Sequence, residues 1–144
     1  MPHSNQAITL LWQEISLSTL ESPLIQKATG KALVVRNDTL AWAPSNDTHV
    51  WRRGDAGDGY FFIVDPPTDK VLDGNGSAAY LSTFNGGAYQ KWRSEDTGEG
   101  YFKLVQEATG HVLDGNGDLV YMLPWNSGDH QRWSFTARRQ PTSP

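Results

Sequence analysis

The chain has 144 residues, a formal net charge of −4, a pI near 5.4 and no cysteine. Its basic residues are scattered, adjacent only at Arg52-Arg53 and Arg138-Arg139, which argues against the concentrated basic face of a nucleic-acid binder. The absence of cysteine removes disulfides, thiolate catalysis and cysteine metal sites together, and no apolar run reaches membrane-spanning length, so membrane insertion is not expected.

The first seven residues are polar and lack a basic stretch followed by an apolar one, so no secretory signal is read there. With the missing cysteines, this gives the expectation of a cytoplasmic or non-classically secreted protein. Residues 15–20 read as an opening strand, with Ile15, Leu17 and Leu20 alternating against Ser16 and Ser18. A short helix over residues 10–15, packing Trp12 on the body, is the alternative, and Trp12 and its neighbours leave a homodimer contact open.

From there the chain repeats itself. His49-Val50-Trp51, Gln90-Lys91-Trp92 and Gln131-Arg132-Trp133 end three copies of about 41 residues. Tyr60-Phe61 matches Tyr101-Phe102, Val71-Leu72-Asp73-Gly74-Asn75-Gly76 matches Val112-Leu113-Asp114-Gly115-Asn116-Gly117, and Tyr80 matches Tyr121, all in one register. The first copy is more worn. Ala28-Thr29-Gly30 answers Ala108-Thr109-Gly110, Leu33 answers Leu113 and Pro44 answers Pro124, but two residues are missing before Trp51.

Within each copy, short apolar runs alternate with turn residues: residues 60–64 precede Asp65-Pro66-Pro67, Val71-Leu72 precedes Asp73-Gly74-Asn75-Gly76, and Tyr80-Leu81 leads to Asn85-Gly86-Gly87. These predict short strands and tight turns, with Asp-Gly and Asn-Gly pairs supplying positive φ angles. The protein is therefore expected to be all-β. One domain over residues 1–137 is expected, with copies at about 15–57, 58–98 and 99–137, followed by a flexible polar tail at 138–144. Three copies are too few for propeller blades; a closed barrel with pseudo-threefold symmetry and hairpin caps is the remaining arrangement.

A copy length near 40, a terminal Gln-x-Trp, an early Leu-Asp and an aromatic twelve residues before the tryptophan together resemble the β-trefoil repeat of ricin B-type lectins. The resemblance spans residues 24–135. It implies a β-trefoil fold whose Gln-x-Trp tryptophans are core, and a shallow sugar pocket on each copy. There an early Asp accepts from sugar hydroxyls, an aromatic ring stacks on the pyranose and polar residues near Gln-x-Trp complete the contacts. Carried onto this chain, the second copy offers Asp73, Tyr80 and Gln90, and the third Asp114, Tyr121 and Gln131. This suits a hexose, which presents C–H groups on one face and vicinal hydroxyls at its rim.

Where the family often has Asn before the Gln, this chain has Tyr89 and His130. Asn85 and Asn126 are then candidates to reach the sugar, and Trp125 and His130 stand near the third pocket. In the first copy Val34 replaces the Asp, Ala41 the Tyr and His49 the Gln, so that pocket is expected to be dead or specialised. Each site residue has a plainer reading beside this one: Asp73 and Asp114 as turn caps, the tyrosines as half-buried strand residues, and the glutamines as anchors for the repeat's own backbone.

The reading that follows is a non-enzymatic, multivalent lectin for galactose, N-acetylgalactosamine or a related sugar, with glycans as partners and no cofactor. The alternative is a protein-binding trefoil such as a protease inhibitor, for which residues 44–49 and the N-terminal extension diverge most from the repeat. A glycosidase needs paired carboxylates at one cleft, whereas Asp73 and Asp114 belong to symmetry-related pockets. A calcium loop at Asp114-Gly115-Asn116-Gly117-Asp118 fails where Leu119 replaces the required Gly and Trp125 the required Glu.

Overall fold

Residue order along the barrel follows from where the chain can pair its backbone. The structure is a computed structural model that describes residues 21–135; the strand expected at 15–20, the alternative helix with Trp12 and the tail at 138–144 lie outside the described residues. Among the described residues there are thirteen strands and no α-helix: β1 Glu21–Ser22, β2 Ile25–Gln26, β3 Ala32–Arg36, β4 Thr39–Ala43, β5 Trp51–Gly57, β6 Tyr60–Val64, β7 Val71–Gly74, β8 Ala79–Ser82, β9 Trp92–Gly98, β10 Tyr101–Gln106, β11 Val112–Asn116, β12 Leu119–Leu123 and β13 Trp133–Ser134. Single 3-10 turns at Ala88–Gln90 and Asp129–Gln131 precede the second and third tryptophans.

Pairing runs β1-β5-β6-β9-β10-β13-β2. Since β1 and β2 are consecutive, interrupted only at Pro23 and Leu24, this path returns to its start and closes a barrel without free edges. The register repeats with the sequence: Ser22 faces Trp51, Phe61 faces Trp92 and Phe102 faces Trp133. Three hairpins, β3–β4, β7–β8 and β11–β12, fold off the barrel. The last two are tied by the Ala78–Tyr121 bridge and by the Met122 amide donating to the Ser77 carbonyl at 2.9 Å. The expected β-trefoil is the fold of this chain.

Trp51, Trp92 and Trp133 are fully buried, with Leu24, Ile63 and Leu104 and with Leu33, Leu72 and Leu113 around them. A buried indole N–H needs an acceptor. Each finds the same one, donating to the carbonyl of Leu33, Leu72 or Leu113 at 2.8, 3.1 and 3.1 Å. Truncating one of these rings to alanine costs about 3–5 kcal/mol.

Glycine serves two purposes in the hairpins. Gly76 and Gly117 take positive φ, as the turns require. Gly74 and Gly115 do not, and the positive φ expected of those Asp-Gly pairs is absent. A Cβ on Gly74 would stand 2.4 Å from Met122 Sδ, and one on Gly115 would stand 2.5 Å from Trp42 Cζ2. These two are glycine because another repeat's side chain packs onto their backbone.

Candidate functional site

Asp73 on β7 faces Tyr80 on β8, and Asp114 on β11 faces Tyr121 on β12, each as a direct cross-strand pair. Such partners put their side chains on one face of the hairpin, about 5 Å apart at Cβ. Each carboxylate is nearly buried, 7% exposed at Asp73 and 3% at Asp114. Asp73 Oδ1 accepts from the Gly74 amide at 2.7 Å and Oδ2 from Gln90 Nε2 at 2.9 Å. Asp114 repeats the arrangement with the Gly115 amide at 2.7 Å and Gln131 Nε2 at 2.8 Å.

Gln90 and Gln131 are fully buried. Gln90 Nε2 also donates to the Thr83 carbonyl at 2.9 Å, and its Oε1 accepts from the amides of Asn85 and Gly86 at 2.8 and 3.3 Å. Gln131 does the same with the Pro124 carbonyl at 3.0 Å and the Asn126 amide at 2.7 Å. With both ends of the amide committed inside the protein, these glutamines position the site; they do not reach out of it. Each fixes the carboxylate against the loop that carries Asn85 or Asn126.

Asn85 and Asn126 are exposed, and each Oδ1 accepts from the amide two residues on, Gly87 at 2.7 Å and Gly128 at 2.8 Å. That Asx turn holds the loop and leaves the side-chain amide groups as the free donors. Tyr80 is 38% exposed. Partial burial, then the Asp73 carboxylate, then Tyr89 push its phenol pKa upward; burial and then Asp114 do the same at Tyr121. Both phenols therefore sit within electrostatic reach of their aspartates and remain protonated hydrogen-bond donors at neutral pH.

The two candidate sites differ at their rims. In the second copy Phe84 and Tyr89 are 53% and 51% exposed, and Phe84 meets Phe62 edge to face at 4.9 Å. In the third, Trp125 is half-buried with Lys103 Nζ 4.6 Å and Arg132 Cζ 5.3 Å from its ring centre. Cations over the ring fix its orientation. His130 is exposed, and its carbonyl accepts from Gln26 Nε2 at 2.9 Å.

That last contact belongs to a set of residues not singled out in the sequence. Gln26 Nε2 bridges the carbonyls of Gly115 and His130, and Gln106 Nε2 bridges those of Gly74 and Tyr89. Thr29 and Thr109 donate to the respective Oε1 atoms at 2.9 and 2.6 Å. Each glutamine locks one copy's pocket to the next copy. The signal was in the sequence as the Ala-Thr-Gly match, three residues of a longer Gln-x-Ala-Thr-Gly.

The first copy has Val34, buried, facing Ala41, so neither the carboxylate nor the ring is present. His49 occupies the place of the buried glutamine. Its Nε2 lies 3.4 Å from Oδ1 of Asp65, which itself stands where Gln26 and Gln106 stand in the other copies. Burial lowers the His49 pKa, against the smaller opposing effects of Asp65 and Asp47. Among the described residues no three His, Asp or Glu side chains gather as metal ligands, and no helix is long and apolar enough to cross a membrane.

A closed barrel of three Trp-anchored copies, each with a hairpin folded off it, defines a β-trefoil. The ricin-type beta-trefoil lectin domain-like family matches residues 50–120. The chain is 30% identical to a designed 3-fold symmetric protein, ThreeFoil, over 79% of this chain and 96% of that one, with a TM-score of 0.70. It is 26% identical to an exo-beta-1,3-galactanase from Clostridium thermocellum, with a TM-score of 0.74, over 83% of this chain but only 30% of the enzyme. SeviL, solved bound to asialo-GM1 saccharide, shares the fold at 18% identity, over 81% of this chain and 97% of SeviL, with a TM-score of 0.70. No curated protein matches the chain. The match over residues 50–120 places that stretch with the ricin-type beta-trefoil lectin domain-like family and supports a carbohydrate-binding role, and the solved structures share its fold.

Proposed function

We propose that the protein is a lectin that binds galactose, N-acetylgalactosamine or a related terminal sugar in two pockets, one at Asp73 and Tyr80 and one at Asp114 and Tyr121. The observation that carries this reading is the duplication of the Asp–Gln–loop arrangement in the second and third copies, beside its replacement by Val34, Ala41 and His49 in the first. A pattern needed only for folding would be needed three times. Both carboxylates keep lone pairs for sugar hydroxyls beyond the two bonds each already accepts, and Tyr80 and Tyr121 offer a ring face beside them. Asn85, Asn126, Trp125 and His130 complete the rims. Gln90 and Gln131 act by holding the acids in place.

The neighbouring galactanase, by its name, belongs to galactose chemistry, and this favours a galactose-type ligand here. The protein acts by binding alone: each repeated acid is held by a glutamine amide and does not face a second carboxylate, as hydrolysis by a paired-acid mechanism requires. Shallow pockets of this kind hold a monosaccharide with Kd on the order of 0.1–1 mM, or roughly −4 to −5.5 kcal/mol. Two of them raise the apparent affinity for a clustered glycan surface through effective concentration. Isothermal titration with N-acetylgalactosamine and galactose tests this. Two sites in the unaltered protein and one in either Asp73→Ala or Asp114→Ala are expected; unchanged stoichiometry in both variants would sink the assignment.

A further inference from the structure

The three hairpins together line an open cleft of about 350 Å³ that no single copy could form. Leu40, Ala79 and Val120 occupy equivalent positions in the three copies, and with Leu81 they give the cleft apolar walls that run into the core. Alanine in the second copy leaves space where its two counterparts carry branched side chains. At the mouth stands Leu119, 66% exposed, where the other copies have Thr39 and Ala78. A hairpin tip is ordinarily polar, and a large apolar side chain left in water there asks for a partner.

Two further features narrow the occupant. Tyr80 lines this cleft and also faces Asp73, so one ring borders both the cleft and the second sugar pocket. Asp38, Thr39 and Asp118 also line the cleft, while Leu40, Ala79, Leu81, Leu119 and Val120 form a continuous aliphatic side that suits a chain of methylenes. A metal ion is not called for, because Asp38 has Lys70 Nζ 3.8 Å away and, among the described residues, no three His, Asp or Glu side chains gather as ligands.

We propose that the cleft takes the alkyl aglycone of a glycoconjugate whose terminal sugar sits at Asp73 and Tyr80. The proposal rests on the carbohydrate reading above and adds to it a ligand class: a sugar carried on an apolar stem. The stem leaves the pocket across the Tyr80 ring and lies against Leu119 and Val120. The third pocket has no such neighbour, since Tyr121 does not line the cleft. The two sugar sites therefore differ in their preference for what the sugar is attached to.

The test is a titration of methyl β-galactoside and n-octyl β-galactoside, the latter below its micelle concentration, followed on the Leu and Val methyl resonances. At the Asp73 site the octyl glycoside should bind about tenfold more tightly, the effect of burying roughly two methylenes, and should shift the methyls of Leu119, Val120 and Leu40. Leu119→Ser, a change at an exposed position, should abolish that preference and leave methyl glycoside binding unaltered. Equal affinities with no shift at those methyls would overturn the proposal and leave the carbohydrate reading intact. Octyl-induced shifts that persist unchanged in Asp73→Ala would overturn the link between cleft and sugar pocket. Neither glycoside moving any resonance would defeat both readings.

Discussion

Gln90 Nε2 donates at once to Oδ2 of Asp73 and to the carbonyl of Thr83, so one buried amide ties the carboxylate to the loop beside it. Gln131 makes the same tie between Asp114 and Pro124. Replacing Gln90 by alanine leaves a buried carboxylate oxygen and loop amides without their partner, a loss of about 1–3 kcal/mol. Gln90→Ala should lower stability by that amount in urea unfolding. It should also remove one of two sugar sites in titration, although Gln90 itself touches no ligand.

Gly115 and Gly54 provide a paired test of why glycine is where it is. A Cβ on Gly115 meets Trp42 Cζ2 at 2.5 Å and the Leu119 carbonyl at 3.0 Å, whereas one on Gly54 meets nothing within 4 Å. Gly115→Ala should cost about 1–3 kcal/mol through overpacking. Gly54→Ala should stay within about 0.5 kcal/mol of the parent protein. Thermal or urea unfolding of the two variants side by side reads the difference.

His49 makes the first copy sensitive to acid. Burial holds its folded-state pKa below the ordinary 6.5, while Asp65 and Asp47 pull it upward by less and Arg36 adds to the lowering. A histidine whose pKa is depressed on folding binds more protons when unfolded. Its contribution to stability is therefore complete above about pH 6.5 and is lost as pH falls toward the folded value. The urea midpoint should fall between pH 7.5 and pH 5.5 more in the parent than in His49→Gln, which restores the residue type of the other two copies.

Trp125 and Phe84 fill equivalent positions with different surroundings. Lys103 and Arg132 lie over the Trp125 ring, and each such contact is worth about 0.5–1 kcal/mol at a partly exposed site. Trp125→Ala should destabilise the protein by about 1–2 kcal/mol and weaken the third site only; Phe84→Ala should leave the third site untouched. Titration of each variant in an Asp73→Ala or Asp114→Ala background isolates the site being read.

The fold was legible because its period was: a tryptophan every 41 residues, each needing the same cavity and the same carbonyl, prescribes three equivalent copies around one core. The Asp–Tyr pairs were legible through the resemblance to the lectin repeat, and the hairpins make them direct cross-strand partners. The role of Gly74 and Gly115 was not. Their local sequence asks for a turn, and only the packing of Met122 and Trp42 from other hairpins reveals a close approach. Gln26 and Gln106 escaped for the same reason, because the carbonyls they bridge come from 89 and 32 residues away in the chain. The convergence of Leu40, Ala79 and Leu119 at the hairpin tips likewise depends on three distant segments. Local pattern reports what a copy does for itself, and these residues serve the neighbouring copy.

The most direct test of the central claim is a glycan-array screen of the labelled protein beside the Asp73→Ala/Asp114→Ala double variant, each shown to be folded by its thermal transition. A lectin using these two pockets will bind a coherent set of glycans ending in galactose-type sugars, and the double variant will lose that set. Equal binding by both proteins, or silence of the folded parent across the array, would contradict it.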